Sequence, residues 1–301
     1  MQNLKVRISQ RQSSDIVSEI TKYYQILDTE FINTYLPKKY KYTLVQEGEK
    51  ADICIVGVQH VDNSLLRENE VNILISMENL GCGRQHYKFH NVFGDTDNKQ
   101  IHVYLYNHYN HVVYIDNNIK VLPVVDFRIR KYLEVKDRWK DELTTDFKDK
   151  KFCLFASSNG LNANKQRVYQ ELSLLGQVDL ITDFKDKLDD KSCVHGYDLI
   201  RFFNQYKFII CFENSNTPGY VTEKIFNVFH ARSIPIYNGA PDIDKYIYPN
   251  SYVKYDPNMK AKIVLLNKSK GIYNHLVQTD KISREIDVNI MDNYLDKYLN
   301  K

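Results

Sequence analysis

The sequence predicts a doubly wound α/β protein of two domains. Its 301 residues are about twice the length of a typical domain, although a single α/β barrel would also fit. Hydrophobic residues make up 43% and charged residues 26%, which is the balance of a globular chain. In the second half, short apolar runs alternate with segments of helical period, as in βαβ units of a parallel sheet.

The second half carries the clearest pattern. The run 207–212 is apolar on both faces, as expected of a buried parallel strand. A polar turn then leads into a helix whose apolar stripe is formed by Val221, Ile225, Val228 and Phe229. The other predicted elements are, in order, a strand at 152–155, a helix at 165–175, a strand at 178–181, a helix at 197–203 and a strand at 234–237.

The first half follows the same plan less regularly. Val6 and Ile8 begin a strand, and further buried strands are predicted at 51–58 and 71–76. A helical stripe is formed by Ile16, Ile20, Tyr23 and Leu27.

A highly charged stretch at 131–150 is predicted to separate the two domains. The stretch is interpreted as a solvated helix or as the bridge between the domains, and the two interpretations are compatible. We therefore predict an N-terminal Rossmann-like domain at 1–149 and a C-terminal one at 150–301. Apolar positions between Ile286 and Tyr298 predict a final helix that can pack back on the N-terminal domain.

Charge, cysteine use and hydropathy argue against several classes of protein. A net charge of +3, from 41 basic and 38 acidic side chains, is too weak to indicate nucleic acid as a partner. The five cysteines show neither zinc spacing nor an even count, which favours a reduced, cytoplasmic setting. No segment approaches the roughly eighteen apolar residues of a membrane span, so we expect a soluble protein with at most peripheral membrane association.

Two common phosphate-binding signatures are missing. The sequence has no P-loop and no Gly-x-Gly-x-x-Gly after a strand. A bound diphosphate would therefore have to be neutralised by side chains and helix dipoles.

The stretch 211–225 is the richest candidate site. It reads as the end of a buried strand, a polar loop, Gly219 and a helix start. Ligands of open α/β sheets bind at the carboxyl ends of strands, and helix N-termini attract anions. Lys224 is suited to a phosphate and Glu223 to two neighbouring ribose hydroxyls. A charged pair on a solvated first turn is the alternative, and the residue pattern alone leaves both open.

Two segments resemble a known family. The run YKFIICFENSNTPGYVTEKIFNVFHARSIPIYNGA at 206–240 closely resembles the signature of the α1,3/4-fucosyltransferases, glycosyltransferase family 10. Upstream, KKFCLFASSN at 150–159, followed by Arg167, is similar to the other donor-site segment of that family. The strong resemblance covers about 150–255, and the first half resembles the family only loosely. It implies the GT-B fold, in which two Rossmann-like domains face each other across a cleft.

The resemblance also implies an activity and a donor site. Members transfer L-fucose from GDP-β-L-fucose to the 3- or 4-hydroxyl of N-acetylglucosamine in a glycan acceptor, inverting the anomeric centre without a required metal or other cofactor. Arg167 and Lys224 fall on positions that hold the diphosphate. The remaining donor-site positions implied by the resemblance are Ser158, Asn159, Asn214, Tyr220 and Glu223.

The general base of the reaction is expected in the first half. The family places a glutamate in a Glu-Asn context at the end of a strand, and Glu78, followed by Asn79, fits that position. An exposed glutamate at a strand end is the alternative, and the other acidic candidates are Asp52, Asp95 and Asp126. The stretch 85–110, rich in His, Tyr and Asn, is either part of the acceptor site or a polar surface region.

Two rival functions stay open at this point. The first is a transferase of the same fold with another nucleotide-sugar or acceptor. The second is a GDP-sugar-binding or lectin-like protein without catalysis, although a binding protein has no need of a base such as Glu78.

Overall fold

A computed structural model describes most of the second half of the chain and the core of the first half. The described residues are 2–9, 36, 38–46, 48–57, 70–75, 103–106, 120–157, 163–181, 197–283 and 296. The chain divides into two compact units: unit 1 comprises Met1–Lys131 and Ile286–Lys301, and unit 2 comprises Tyr132–Glu285.

Unit 1 is built on a parallel sheet. Within the described residues, its strand order is β2-β1-β3-β4-β5-β6. The central strands are apolar and buried, with Val6, Ile53 and Ile73 fully inaccessible to solvent. The strands are β1 (Asn3–Ser9), β2 (Lys41–Val45), β3 (Ile53–Gly57), β4 (Val71–Ile75), β5 (Val103–Tyr106) and β6 (Lys120–Pro123).

Unit 2 carries a second parallel sheet. Its order is β11-β10-β9-β7-β8, so the direction in which strands are added reverses between β7 and β9. Such a reversal is the topological switch point at which doubly wound sheets bind ligands. The strands are β7 (Lys151–Ala156), β8 (Val178–Ile181), β9 (Tyr206–Phe212), β10 (Ile234–Asn238) and β11 (Val253–Lys254).

The helices that follow β7 in the described part of the chain pack on unit 2 through apolar side chains. Helix α2 buries Val168 and Leu172, one turn apart, against a core that includes Phe155 and Phe208. The helices are α1 (Val124–Val135), α2 (Ala163–Ser173), α3 (Tyr197–Phe203), α4 (Glu223–His230), α5 (Met259–Lys268) and α6 (Lys270–Gln278), with short 3-10 turns at Ile243–Lys245 and Pro249–Ser251.

The division between the units falls at Lys131 and Tyr132, inside α1, and not near residue 150. The charged stretch packs on unit 2 through its aromatic residues. The Tyr132 ring lies 5.7 Å from that of Phe226, and the Trp139 ring lies 5.5 Å from that of His230. After α1 ends, the stretch continues as turns and not as a solvated helix. These contacts explain why the charged residues belong to unit 2.

Some predicted elements lie outside the described residues. These are the helical stripe at 16–27 and, apart from Asp296, the C-terminal helix. The tail groups with unit 1, where Asp296 accepts hydrogen bonds from Lys39 and Tyr40. Among the helices that the structure describes, none is long and apolar enough to cross a lipid bilayer.

Candidate active site

The candidate site of unit 2 lies at the switch point between β7 and β9. Phe155 pairs with Ile210 across these strands, so Ser157 comes level with Phe212 at the carboxyl edge of the sheet. Helix α2 follows β7 along the chain, and α4 follows β9. The first turns of both helices are therefore expected near one edge of the sheet.

Glu213 holds the loop between β9 and α4. Its side chain is fully buried and accepts three hydrogen bonds: from the Thr222 N–H at 2.8 Å, the Thr222 hydroxyl at 2.7 Å and Lys224 Nζ at 3.1 Å. A buried carboxylate is tolerated only when it is paired and hydrogen-bonded in this way. Glu213 thus fixes the end of the strand, the start of the helix and the position of the Lys224 ammonium group together.

The backbone at Gly239 passes close to the side chain of Glu213. A Cβ atom at Gly239 would lie 2.5 Å from Glu213 Cγ and would also meet the Tyr237 hydroxyl. Only glycine fits here without moving Glu213. The Asn238 carbonyl, just before Gly239, accepts a 2.8 Å hydrogen bond from the Glu213 N–H.

The loop turns at Gly219, which has a φ of 75° that favours glycine. Its N–H donates to Asp242 Oδ1 at 2.8 Å. The next residue, Tyr220, is only 1% exposed, so its ring supports the loop from inside. Asn214, by contrast, is exposed at the start of the loop.

Lys224 presents a positive charge at the first turn of α4. Thr222 is the N-cap, and its hydroxyl accepts from the Lys224 N–H at 3.5 Å. Burial alone would lower the pKa of Lys224, but the carboxylates of Glu213 and Glu223 outweigh it and raise that pKa above its ordinary value. The Lys224 side chain keeps 32% of its surface exposed, so a charged ammonium group remains within reach of a ligand.

Helix α2 brings a second lysine to the edge of the sheet. Lys165 Nζ donates to Ser157 Oγ at 2.9 Å. Burial, and then the positive charge of Lys224, lower the pKa of Lys165. Arg167 behaves differently: its side chain is 74% exposed, and Nε donates to Glu171 Oε1 at 2.9 Å.

The structure places the sequence-predicted residues unevenly. Asn214, Tyr220, Glu223 and Lys224 lie together on the loop and the helix start, whereas Arg167 lies on the exposed side of α2. Asp52 is exposed and accepts from the Lys5 N–H at 2.7 Å. Four predicted residues lie outside the described residues, namely Glu78, Asp95, Ser158 and Asn159, as does the side chain of Asp126.

Three contributors to the site were missed from the sequence: Glu213, Thr222 and Lys165. Thr222 had a usable signal, because a threonine followed by Glu-Lys is typical of a helix N-cap. Lys165 could have been found from the apolar stripe of α2, since it lies three residues before Val168. The contacts of Glu213 with Thr222 cross nine residues of loop, which no local pattern reveals.

The fold and the site define a doubly wound α/β protein with lysines at its switch point. Residues 145–276 match the sequence model of glycosyltransferase family 10 (fucosyltransferase), C-terminal part. The match covers the stretch in which the sequence resembles this family, so the resemblance is confirmed for that part of the chain.

Two relatives match shorter stretches. Alpha-(1,3)-fucosyltransferase FucT of Helicobacter pylori is 50% identical over 52 residues, which are 17% of this chain and 11% of that protein. GDP-fucose protein O-fucosyltransferase 3 of Danio rerio is 33% identical over 81 residues, 27% of this chain and 18% of that protein. The chain thus aligns with less than a fifth of the length of either relative.

The fold is shown by solved structures. A crystal structure of an alpha1,3-fucosyltransferase covers 100% of this chain and 91% of its own, with a TM-score of 0.64 and 17% identity. A second, with GDP-fucose, covers 100% and 92%, with a TM-score of 0.61 and 18% identity. The predicted fold class, a GT-B fold of two Rossmann-like units, is confirmed by this likeness.

Proposed function

We propose that this protein is a fucosyltransferase that uses GDP-β-L-fucose as its donor. The observation that carries the proposal is the position of the family match. Residues 145–276 contain all five strands of the unit 2 sheet and the Glu213–Lys224 site at its switch point. A nucleotide-sugar donor suits this site, because anions bind where helix N-termini and cationic side chains meet the carboxyl edge of a sheet.

The positive groups of the site would stabilise the leaving group. GDP gains negative charge as the bond to fucose breaks, and cations already in position stabilise this charge more in the transition state than in the bound donor. Lys224 and the first turn of α4 supply one such group, and α2 offers Lys165 or Arg167 as the second. With side chains in this role, we propose that no divalent metal or other cofactor is required.

The remaining donor contacts are proposed around this centre. Glu223 lies half-buried in the first turn of α4, where its carboxylate is suited to accept from two ribose hydroxyls. Asn214 is exposed on the loop and suited to a sugar hydroxyl. Tyr220 contributes through the shape of the loop that it supports, and Ser158 and Asn159 keep the roles that the resemblance gives them.

The acceptor is proposed to be the 3- or 4-hydroxyl of N-acetylglucosamine in a glycan. Inversion requires a base on the acceptor side, and Glu78 is proposed for it. β4 ends at Ile75, three residues before Glu78, at the carboxyl edge that parallel sheets use for ligands. Transfer would give an α-fucoside from a β-linked donor.

A protein acceptor is the second candidate. The match to GDP-fucose protein O-fucosyltransferase 3 is longer than the match to the H. pylori enzyme, 81 residues against 52. The length of a match does not identify the acceptor. A serine or threonine hydroxyl of a folded protein would then take the place of the sugar hydroxyl.

The test is a panel of donors and acceptors with the purified protein. GDP-fucose, GDP-mannose and UDP-sugars are each incubated with lacto-N-biose, N-acetyllactosamine or a protein acceptor, and product is measured with and without EDTA. We expect α-fucosylated glycan from GDP-fucose alone, with or without EDTA. Consumption of another donor only would overturn the proposal, and GDP binding without any transfer would favour the non-catalytic alternative.

We propose a cytoplasmic location because the described cysteines are free thiols. Cys54, Cys153 and Cys211 are buried free thiols within the described residues. Burial raises the pKa of the Cys211 thiol well above its ordinary value, which keeps it protonated as a core side chain.

A further inference from the structure

Two lysines lie on either side of the switch point of unit 2. Lys165 is in α2, after β7, and Lys224 is in α4, after β9. Each is tied to a residue just past its strand. Lys165 Nζ donates to Ser157 Oγ at 2.9 Å, and Lys224 Nζ donates to Glu213 Oε2 at 3.1 Å. Because β7 and β9 are hydrogen-bonded neighbours, both lysines reach the same part of the sheet edge.

Lys165 and Arg167 lie on different faces of α2. An α-helix turns by about 100° per residue, so side chains two positions apart point in nearly opposite directions. Lys165 lies on the same stripe as the buried Val168 and reaches the sheet. Arg167 points away, is 74% exposed and pairs with Glu171 one turn further along the helix. One orientation of this helix can bring only one of the two cations to the switch point.

Lys224 alone supplies little net positive charge for a diphosphate. Lys224 is paired with the fully buried Glu213, so these two charges largely offset each other. The positive charge of Lys224 is one cause of the lowered pKa of Lys165, because the two ammonium groups repel each other electrostatically. Two neighbouring cations repel, and a ligand with two or more negative charges between them removes the repulsion.

We propose that Lys165, and not Arg167, is the second cation that holds the diphosphate of the donor. Together with Lys224 it forms a lysine pair across the β7–β9 switch point. The inference rests on the proposed function for the nature of the ligand, a nucleoside diphosphate. Arg167 belongs to an exposed ion pair with Glu171 on the outer side of α2.

The experiment compares GDP affinity in the full chain by calorimetry. The variants are Lys165→Met, which keeps the length of the side chain, Lys165→Arg, which keeps the charge, and Arg167→Met. We expect Lys165→Met to raise the Kd for GDP by about tenfold or more, as for the loss of one charge-assisted hydrogen bond. We expect Lys165→Arg to recover most of this loss and Arg167→Met to weaken binding several-fold less than Lys165→Met.

The matched control is Lys268→Met, which removes an exposed lysine of α5 and should bind GDP as the unchanged protein does. Fluorescence of Trp139, the only tryptophan, verifies that unit 2 stays folded in each variant. Unchanged affinity in Lys165→Met, a larger loss in Arg167→Met, or no recovery in Lys165→Arg would overturn the lysine pair.

Parallel titrations with UDP and CDP separate this proposal from the proposed function. If UDP or CDP binds in place of GDP and Lys165→Met weakens that binding, the lysine pair stands and the proposed donor is wrong. If Lys165→Met binds GDP and consumes GDP-fucose like the unchanged protein, the lysine pair is wrong and the proposed function stands.

Discussion

At the scale of single residues, Glu213 joins the loop, the helix cap and Lys224, although the family resemblance gives it no role. Its buried carboxylate accepts from the backbone and hydroxyl of Thr222 and from Lys224. The helix cap and the cation of the site are thus both set by one side chain. Removing one partner of such a buried ion pair leaves the charge of the other partner buried without compensation.

We expect Glu213→Gln to destabilise unit 2 by about 3 kcal/mol, because the neutral amide loses the ion pair and brings an N–H group toward existing donors. The measurement is urea unfolding followed by Trp139 fluorescence, with GDP affinity alongside. The matched control is Asp146→Asn, which removes the exposed pair with Lys270 and should leave the midpoint unchanged. Equal midpoints for both variants would contradict the role of Glu213.

Lys150 makes unit 2 sensitive to pH. Its ammonium group is buried and donates to the carbonyl oxygens of Asn204 and Arg232. Burial, and then the charge of Arg232, lower the pKa of Lys150 to about 7. The folded state therefore holds this proton less tightly than the unfolded chain, in which lysine keeps its ordinary pKa of about 10.4. Its contribution to stability thus rises with pH from about 7 to about 10.4.

Between pH 7 and pH 9, we expect the unchanged protein to gain about 2 kcal/mol of folding stability relative to Lys150→Met. Urea midpoints from Trp139 fluorescence at several pH values measure it. Lys151→Met serves as the control, since Lys151 is next in sequence but 57% exposed. A pH-independent effect of Lys150→Met would show that Lys150 does not titrate in this window.

At the scale of elements, the order of strands decides where the site lies. The reversal between β7 and β9 brings α2 and α4 to one edge, although their first residues are sixty positions apart in the chain. Gly239, after β10, completes this edge by leaving room for Glu213. The ends of β9 and β10 therefore depend on one another.

We expect Gly239→Ala to destabilise unit 2 by about 1–3 kcal/mol and to weaken GDP binding, since the added methyl group displaces Glu213. Gly271→Ala is the matched control. Nothing lies within 4 Å of a Cβ there, and alanine in a helix is more favourable than glycine by about 1 kcal/mol. Thermal unfolding and GDP titration measure both variants, and a neutral Gly239→Ala would show that the edge can adapt.

The sequence predicted these elements best where their apolar patterns are complete. The strand Val178–Ile181 and the helix Tyr197–Phe203 were predicted to the residue. β2 was missed because none of its side chains is fully buried, and β11 because it has only two residues. For the candidate site, the sequence predicted the loop and the place of Lys224 at the start of α4. The proposed choice of Lys165 over Arg167 rests on the phase of α2 and on the contact of Lys165 with Ser157.

At the scale of the whole molecule, the proposed reaction divides between the units. The proposed diphosphate site belongs to unit 2, and the proposed base, Glu78, follows β4 of unit 1. Donor binding and catalysis should therefore be separable by substitution. This separation distinguishes an enzyme from a GDP-sugar-binding protein.

We expect Glu78→Gln to keep GDP affinity within about twofold and to lower the rate of transfer at least a hundredfold, as for the loss of a general base. GDP titration and initial rates of product formation measure the two effects. Asp52→Asn, at an exposed acidic residue of unit 1, is the control and should change neither. Normal turnover by Glu78→Gln would remove this residue from the mechanism.

The most direct test of the account is to determine the product formed from GDP-β-L-fucose and an N-acetylglucosamine-containing acceptor. Nuclear magnetic resonance of the purified product reports the anomeric configuration and the linked hydroxyl. We expect an α-fucoside on the 3- or 4-hydroxyl of N-acetylglucosamine, with one GDP released for each fucose transferred. A β-fucoside, or no fucosylated product while another nucleotide-sugar is consumed, would contradict it.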